Sequence, residues 1–170
     1  MNTLAVNLNA LVILIISGVL VAAFGVQLFM GEQPCPLCFL QRLGMVGAAI
    51  GLVMNLRFGI KAKHYGLTLL SCVLGAGVAI RQTVLHICPS EPSFGMPVLG
   101  LSLWVWSFLV FVCTILAVAI LLFLFESNAP EEKIQKMNWF SKISVWILAL
   151  VVFFNILTAL HLCGLGPCSG

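Results

Sequence analysis

The sequence predicts an all-α integral membrane protein that crosses the bilayer five times. Of its 170 residues, 62% are hydrophobic and only 8% are charged, whereas a soluble domain carries about 25% charged residues. Five apolar runs of membrane-spanning length alternate with short, more polar segments. The formal net charge of +3 does not indicate nucleic-acid binding, because the few basic residues lie in those short segments. We expect residues 1–170 to form a single polytopic membrane domain.

The first two predicted spans flank a very short loop. The run 11–30 has the length that crosses a bilayer, and it is preceded by none of the basic residues of a signal peptide, so we expect a retained span. The second span, 39–56, must begin near Cys38 to be long enough, which leaves 31–38 as an external loop. Arg42 then lies just inside the membrane, where a charged residue indicates a functional role.

The third predicted span, 65–85, contains glycines that permit close helix contact, namely Gly66, Gly75 and Gly77. Residues 86–100 after it form a second external loop, because 89–100 holds three prolines and two glycines. Apolar residues in this loop can rest on the membrane surface: Phe94, Met96, Val98 and Leu99.

The last two predicted spans are 101–125 and 143–162, separated by a polar segment with three lysines. Trp104 and Trp106 near the start of the fourth span have the character of interfacial anchors. The fifth span is followed by an uncharged external tail, 163–170.

The distribution of basic residues predicts the orientation in the membrane. The segments 57–64 and 126–142 each contain three Lys or Arg residues, and such segments face the cytoplasm. The amino terminus is then cytoplasmic and the carboxy terminus periplasmic, in a bacterial inner membrane. Two of the seven cysteines, Cys72 and Cys113, fall inside apolar runs and are predicted to be small buried hydrophobes. The other five face the oxidising side, where disulfides persist.

The segment Cys35-Pro-Leu-Cys38 is the main candidate for chemistry. A C-x-x-C pair can close into a strained, easily reduced disulfide, which suits catalysis better than a structural role. The partial positive charge at the start of the second helix favours a thiolate at Cys38. Arg42 lies one turn further on the same face, where it favours the thiolate further and can hold an electron-rich or anionic ligand.

Two other interpretations of the cysteine pair carry no redox chemistry. Half of a zinc site is one of them, but the chain contains no second C-x-x-C to complete it, so we predict no metal. A fortuitous pair in a short loop is the other, and the arginine within the following apolar run argues against it.

Three segments together carry a resemblance to a known family: Cys35-Pro-Leu-Cys38 with Gln41-Arg42, Gly75-Ala-Gly-Val-Ala-Ile-Arg81-Gln82, and Gly100-Leu-Ser-Leu-Trp-Val-Trp-Ser107. With these motifs, the chain resembles the disulfide bond formation protein B (DsbB) family over about its first four spans. The resemblance implies an antiparallel four-helix bundle that takes electrons from a periplasmic DsbA-like oxidase of thioredoxin fold and gives them to ubiquinone or menaquinone. It also implies that Cys35 and Cys38 are the quinone-linked redox pair, with Cys38 facing the quinone and Arg42 beside it.

The external cysteines depart from the pattern of that family. The better-known members have a long second external loop with its own cysteine pair and end after a fourth span. In this chain the second external loop is short and holds only Cys88, and a fifth span leads to Cys163 and Cys168. We hypothesise that the partner of Cys88 comes from the tail. The favoured pairing is Cys88 with Cys168, because Cys163 follows the span directly. Pairing with Cys163, a Cys163–Cys168 pair that exchanges with Cys88, and a purely structural disulfide remain open.

A histidine of the family, near the end of the third span, corresponds to Gln82 in this chain. His86 lies one turn later on the same face and is a candidate quinone contact in its place. The alternative is an ordinary histidine at a helix end near the interface.

Two other classes of function share parts of this pattern. A membrane quinone or epoxide reductase would use the same C-x-x-C pair, and Gln41-Arg42 favours the oxidase instead. A non-enzymatic membrane scaffold or metal-handling protein would not depend on Cys35. A channel or transporter is disfavoured, because no span carries repeated polar residues along one path.

Overall fold

The computed structural model describes residues 3–30, 36–86, 98–124 and 137–163. In these ranges the chain forms five helices: α1 (Thr3–Met30), α2 (Pro36–Phe58), α3 (Ala62–Leu85), α4 (Leu103–Leu124) and α5 (Trp139–Cys163). Each is long and apolar enough to cross a membrane. The predicted all-α class and the five spans are therefore confirmed.

Several helices extend beyond the apolar runs that predicted them. α1 begins at Thr3 rather than at residue 11, and α5 at Trp139 rather than at 143. Polar residues in or next to the added turns have partners: Asn9 Nδ2 donates to the Tyr65 hydroxyl at 2.8 Å, and Asn138 Nδ2, just before α5, donates to Asn7 Oδ1 at 2.8 Å. A prediction based on apolar length stops where such residues begin.

The fourth helix begins at Leu103, whereas the predicted span begins at residue 101, because a tight turn precedes the helix. The backbone groups of Val98 and Leu101 exchange two hydrogen bonds, of 3.0 and 3.1 Å. The central residues, Leu99 and Gly100, both have positive φ, 53° and 80°, as a two-residue hairpin turn of this hand requires. The rest of the predicted loop, residues 87–97, lies outside the described residues.

Helices α1 to α4 form an antiparallel bundle, and α5 lies beside it. α2 packs most extensively on α3, which in turn packs on α4, while α1 contacts both α2 and α4. α5 packs mainly on α1 and also approaches α2. Because the helix directions alternate, one end of the molecule, called the cysteine end here, collects Met30, Pro36, Leu85, Leu103 and Cys163.

Small residues bring α2, α3 and α4 close together. A Cβ atom added to Gly47 would lie 2.7 Å from Ser71 Oγ, and one added to Gly51 would lie 2.6 Å from the carbonyl oxygen of His64. Gly75 faces the ring of Phe111 on α4, as predicted for that glycine.

The same prediction is wrong for Gly66 and Gly77. Within the described part of the chain, no heavy atom lies within 4 Å of a Cβ added to either residue. Both face away from the packed surface of α3, and the closest approaches to that helix come instead from the glycines of α2. A count of glycines along one apolar run cannot reveal which of them face a neighbour.

The two cysteines inside apolar runs differ in burial. Cys72 on α3 is fully buried, as predicted, whereas Cys113 on α4 is exposed at the protein surface. The prediction for Cys113 is wrong because α4 packs on the bundle with only one face. Its outer face would meet lipid, where an apolar side chain is equally well accommodated.

We predict that Gly75→Ala destabilises the bundle and that Gly77→Ala does not. The added methyl group at Gly75 overlaps the Phe111 ring, and overpacking of this kind costs about 1–3 kcal/mol. At Gly77 the methyl group has open space, and alanine is the better helix former. Thermal unfolding of the two purified variants in the same detergent measures the difference. Equal melting temperatures would contradict the packing described here.

Candidate functional site

Cys38 lies in the first turn of α2, which begins at Pro36. A proline at the first helical position is favourable, because its fixed φ suits the helix and the N–H that it lacks would have no partner within the helix. The prediction that the second helix starts next to Cys38 is confirmed. The half-buried thiol is thereby placed among the backbone N–H groups of the first turn, at the positive end of the helix dipole.

Two buried amides connect Cys38 to α3. Gln41 Nε2 donates to Gln82 Oε1 at 2.7 Å, and this bond sets the orientation of the Gln82 amide. Gln82 Nε2 then donates to Cys38 Sγ at 3.6 Å, and the thiol lies 3.9 Å from Gln82 Oε1. Gln82 is only 1% exposed. Its amide therefore offers the sulfur both a donor and an acceptor, which suits a group that alternates between thiol and thiolate.

Arg42 extends in the other direction, toward α1 and α5. Its Nη1 donates to Gln27 Oε1 at 2.8 Å and to Asn155 Oδ1 at 3.4 Å, and its Nη2 donates to the carbonyl oxygen of Ala23 at 3.1 Å. The guanidinium carbon also lies 5.8 Å from the centre of the Phe39 ring. These three acceptors are uncharged amide oxygens, and they orient the guanidinium.

The thiol is placed between these two groups of contacts. On a helix of 3.6 residues per turn, Cys38 lies about 60° from Gln41 and about 40° from Arg42. Gln41 points to α3, and Arg42 points to α1 and α5. Cys38 therefore lies on the face of α2 between Gln41, which contacts the Gln82 amide, and Arg42.

His86 follows α3 at the cysteine end and contacts the start of α4. Its Nδ1 lies 2.8 Å from the carbonyl oxygen of Gln82, which can only accept, so Nδ1 carries a proton. Its ring stacks on Trp104 with centroids 4.6 Å apart. Trp104 is only 8% exposed, so its predicted role as an interfacial anchor is wrong. The proposed contact of His86 with quinone stays a prediction.

The remaining predicted site residues are not placed by the structure. Cys35, Cys88 and Cys168 lie outside the described residues, and only the backbone of Cys163 is described, as the last residue of α5 at the cysteine end. Their roles and pairing stay predictions.

Sequence reasoning did not single out Gln27 and Asn155, which hold Arg42. A signal for both exists in the chain, because each is a polar residue within a long apolar stretch of its helix. Such residues in membrane helices generally face protein or have a polar partner.

Comparison with known proteins shows similarity over the part of the chain that contains α1 to α3. The sequence profile of the family described as "Disulfide bond formation protein DsbB" matches residues 6–95, more than half of the chain. Proteins named "Disulfide bond formation protein B" are similar over this region. That of Marinobacter nauticus is 44% identical over 88 residues, 48% of this chain and 51% of that protein. The protein of Chromobacterium violaceum is 38% identical over 86 residues, which are 46% of this chain and 52% of that protein.

These similarities cover the first part of the chain only. The protein of the same name from Xanthomonas axonopodis pv. citri is 34% identical over 93 residues, 51% of this chain and 54% of that protein. The chain thus spans about half the length of the curated relatives that it matches. The family match takes in α1 to α3 but not α4 or α5, so it is shorter than the four spans expected. No solved structure matches the chain.

We predict that Gln82→Leu slows alkylation of Cys38 in the reduced protein by about three- to tenfold, the effect of losing one hydrogen bond to the reactive sulfur. Leucine has a similar size but offers the thiolate no donor. Labelling of the Cys38 peptide over time, followed by mass spectrometry at fixed pH, gives the rate.

Thr83→Val is the matched control for Gln82→Leu. Thr83 is the next residue of α3, and the bond that its hydroxyl makes at 2.9 Å goes to its own helix, to the carbonyl oxygen of Ala79. In this variant the Cys38 thiol should be alkylated at the wild-type rate. If both variants or neither changed the rate, the contact between Gln82 and Cys38 would not control the thiol.

Proposed function

Because the chain belongs to the family of disulfide bond formation protein DsbB, we propose that it is a quinone-dependent membrane thiol oxidase that reoxidises a periplasmic DsbA-like protein of thioredoxin fold. The observation that carries this proposal is the position of Cys38, in the first turn of a membrane helix, 3.6 Å from the Gln82 amide nitrogen and one helical turn before Arg42. This arrangement supports a redox thiol more than a structural one.

The proposed orientation places the cysteine end in the periplasm of a bacterial inner membrane. Arg57, Lys61 and Lys63 lie at or near the turn between α2 and α3, at the opposite end of the molecule. Basic residues at this end support a cytoplasmic location for it. Cys38 and the end of α5 then share the oxidising compartment.

In the proposed route, electrons pass through two disulfides. A thiolate of the reduced partner attacks an external disulfide that contains Cys88, and a mixed disulfide forms. The second thiol of the partner resolves it, so that the partner becomes a disulfide and the external pair a dithiol. That dithiol reduces the Cys35–Cys38 disulfide by the same exchange. When bound, the quinone would accept the two electrons and two protons that this pair gives up as its disulfide forms again.

The residues around Cys38 suit a quinone chemically. A planar guanidinium is a multiple hydrogen-bond donor that binds electron-rich carbonyl oxygens well, and Arg42 would hold the quinone ring by one of its oxygens. Phe39 beside the guanidinium offers aromatic surface at the same end of the bundle. In this scheme the Gln82 amide keeps the Cys38 sulfur oriented and hydrogen-bonded while the sulfur changes between thiol and thiolate.

We predict that Arg42→Gln raises the KM for quinone by about ten- to a hundredfold, because a hydrogen bond from a charged donor is lost. Arg42→Lys should give an intermediate value, since it keeps the charge but loses the planar set of donors. Quinone reduction driven by a reduced thioredoxin-fold protein provides the measurement.

Arg57→Gln is the matched control, because Arg57 lies on the same helix, exposed at the opposite end. It should reduce quinone as the wild type does. Failure of the wild-type protein to reduce any benzoquinone or naphthoquinone with any thioredoxin-fold donor would refute the proposed function. It would favour the reductase or scaffold interpretation.

We predict a disulfide between Cys88 and Cys168 in the oxidised protein. Peptide mapping without reduction, after acid trapping of free thiols, identifies the partner of Cys88. A Cys163–Cys168 pair with Cys88 reduced would contradict the proposed route and make the tail a separate exchange pair. Cys88→Ser should abolish oxidation of the partner while quinone binding stays at the wild-type level.

A further inference from the structure

The fifth helix packs on the bundle with one regular stripe of side chains. Ser141 and Ser144 are fully buried, Leu148 and Val151 are nearly so, and Asn155 continues the series. The steps of three and four residues are those of a helix that presents one face to a neighbour. Small residues at the start of the stripe allow close approach to α1. Packing of this helix therefore directs Asn155 toward the seam between α1 and α2.

The amide of Asn155 is oriented so that its oxygen points to Arg42. Its Nδ2 donates to the carbonyl oxygen of Val151, one turn earlier on α5, at 2.8 Å. Its Oδ1 then accepts from Arg42 Nη1 at 3.4 Å, while Gln27 Oε1 on α1 accepts from the same nitrogen at 2.8 Å. One guanidinium nitrogen thus joins α2 to α1 and α5 together.

We propose that Asn155 is a positioning residue for the quinone site, so that α5, which lies outside the region shared with the family, completes that site. This inference rests on the proposed function. A long arginine side chain loses considerable rotamer freedom when it binds a ligand in one orientation. Asn155 and Gln27 fix that orientation in advance, which strengthens binding without any contact between Asn155 and the quinone.

The test compares Asn155→Leu with Thr158→Val in the full-length protein. Leucine removes the acceptor, whereas Thr158 lies one turn further along α5 and bonds at 2.7 Å to the carbonyl oxygen of Phe154 on its own helix. Short-chain benzoquinone is the ligand, and quenching of tryptophan fluorescence gives its Kd. We expect Asn155→Leu to raise Kd and KM by about three- to tenfold, with kcat within about twofold of the wild type. Thr158→Val should leave all three unchanged.

A double substitution separates positioning from helix packing. In an Arg42→Lys background, Asn155→Leu should change the quinone Kd by less than about twofold, because the guanidinium that it positions is absent. An effect of the same size in both backgrounds would mean that Asn155 acts through the packing of α5, and it would overturn the proposal. If Asn155→Leu unfolds at a lower temperature than the wild type, Asn155→Ala replaces it in the same series.

A spectroscopic measurement tests the positioning without quinone. The chain contains only three arginines, Arg42, Arg57 and Arg81, so the side-chain Nε–H signals of ¹⁵N-arginine-labelled protein are few. We expect Asn155→Leu to broaden or shift the Arg42 signal alone. If the Arg42 signal stays unchanged, or if it changes while quinone affinity does not, the proposal is wrong. A wild-type protein that neither binds nor reduces quinone would refute the proposed function itself, together with this inference.

Discussion

A permanent positive charge within a bundle of apolar helices is the constraint on which the cysteine end depends. The five helices contain no aspartate or glutamate, so within them the charge of Arg42 is stabilised by dipoles. Removing a charge from water is costly unless polar groups replace the hydration. Gln27, Asn155 and the carbonyl oxygen of Ala23 perform that role.

The position of the thiol depends equally on the packing of α2 against α3. At Gly47 and Gly51, α2 and α3 approach so closely that even one added methyl group would overlap atoms of α3. This approach brings Gln82 within reach of both Gln41 and Cys38. At the opposite end, Asn55 of α2 accepts from the backbone N–H of Lys61 and donates to Asn9 of α1, which joins the helices around the α2–α3 turn. Close packing along the shared surface and polar contacts at both ends therefore determine the geometry of the site.

The parts of this arrangement that could be predicted from the sequence are those with a local cause. Apolar length predicts the five helices, and the start of α2 beside Cys38 follows from the length that the second span needs. The contacts of Asn155 and the burial of Trp104 depend on which helices become neighbours, and local pattern does not contain that information. The same reason explains Cys113 and Gly77, whose apolar surroundings in sequence do not indicate which face of the helix is packed. Polar residues inside α1 and α5 were the available signal for Gln27 and Asn155, because a membrane helix rarely carries such residues without a partner.

In the proposed scheme, α5 has two tasks that a single rigid helix can combine. Asn155 contacts Arg42, and the backbone of Cys163 ends the same helix at the cysteine end. Eight residues of α-helix separate them, about 12 Å at 1.5 Å per residue. A disulfide formed at Cys163, or just beyond it, would restrain the end of α5 and hence the side chain that orients the guanidinium. A helix that served only to carry cysteines to the surface would not need a polar residue at position 155, where lipid-compatible residues surround it on both sides. The presence of Asn155 at that point is therefore better explained by the arginine than by the tail.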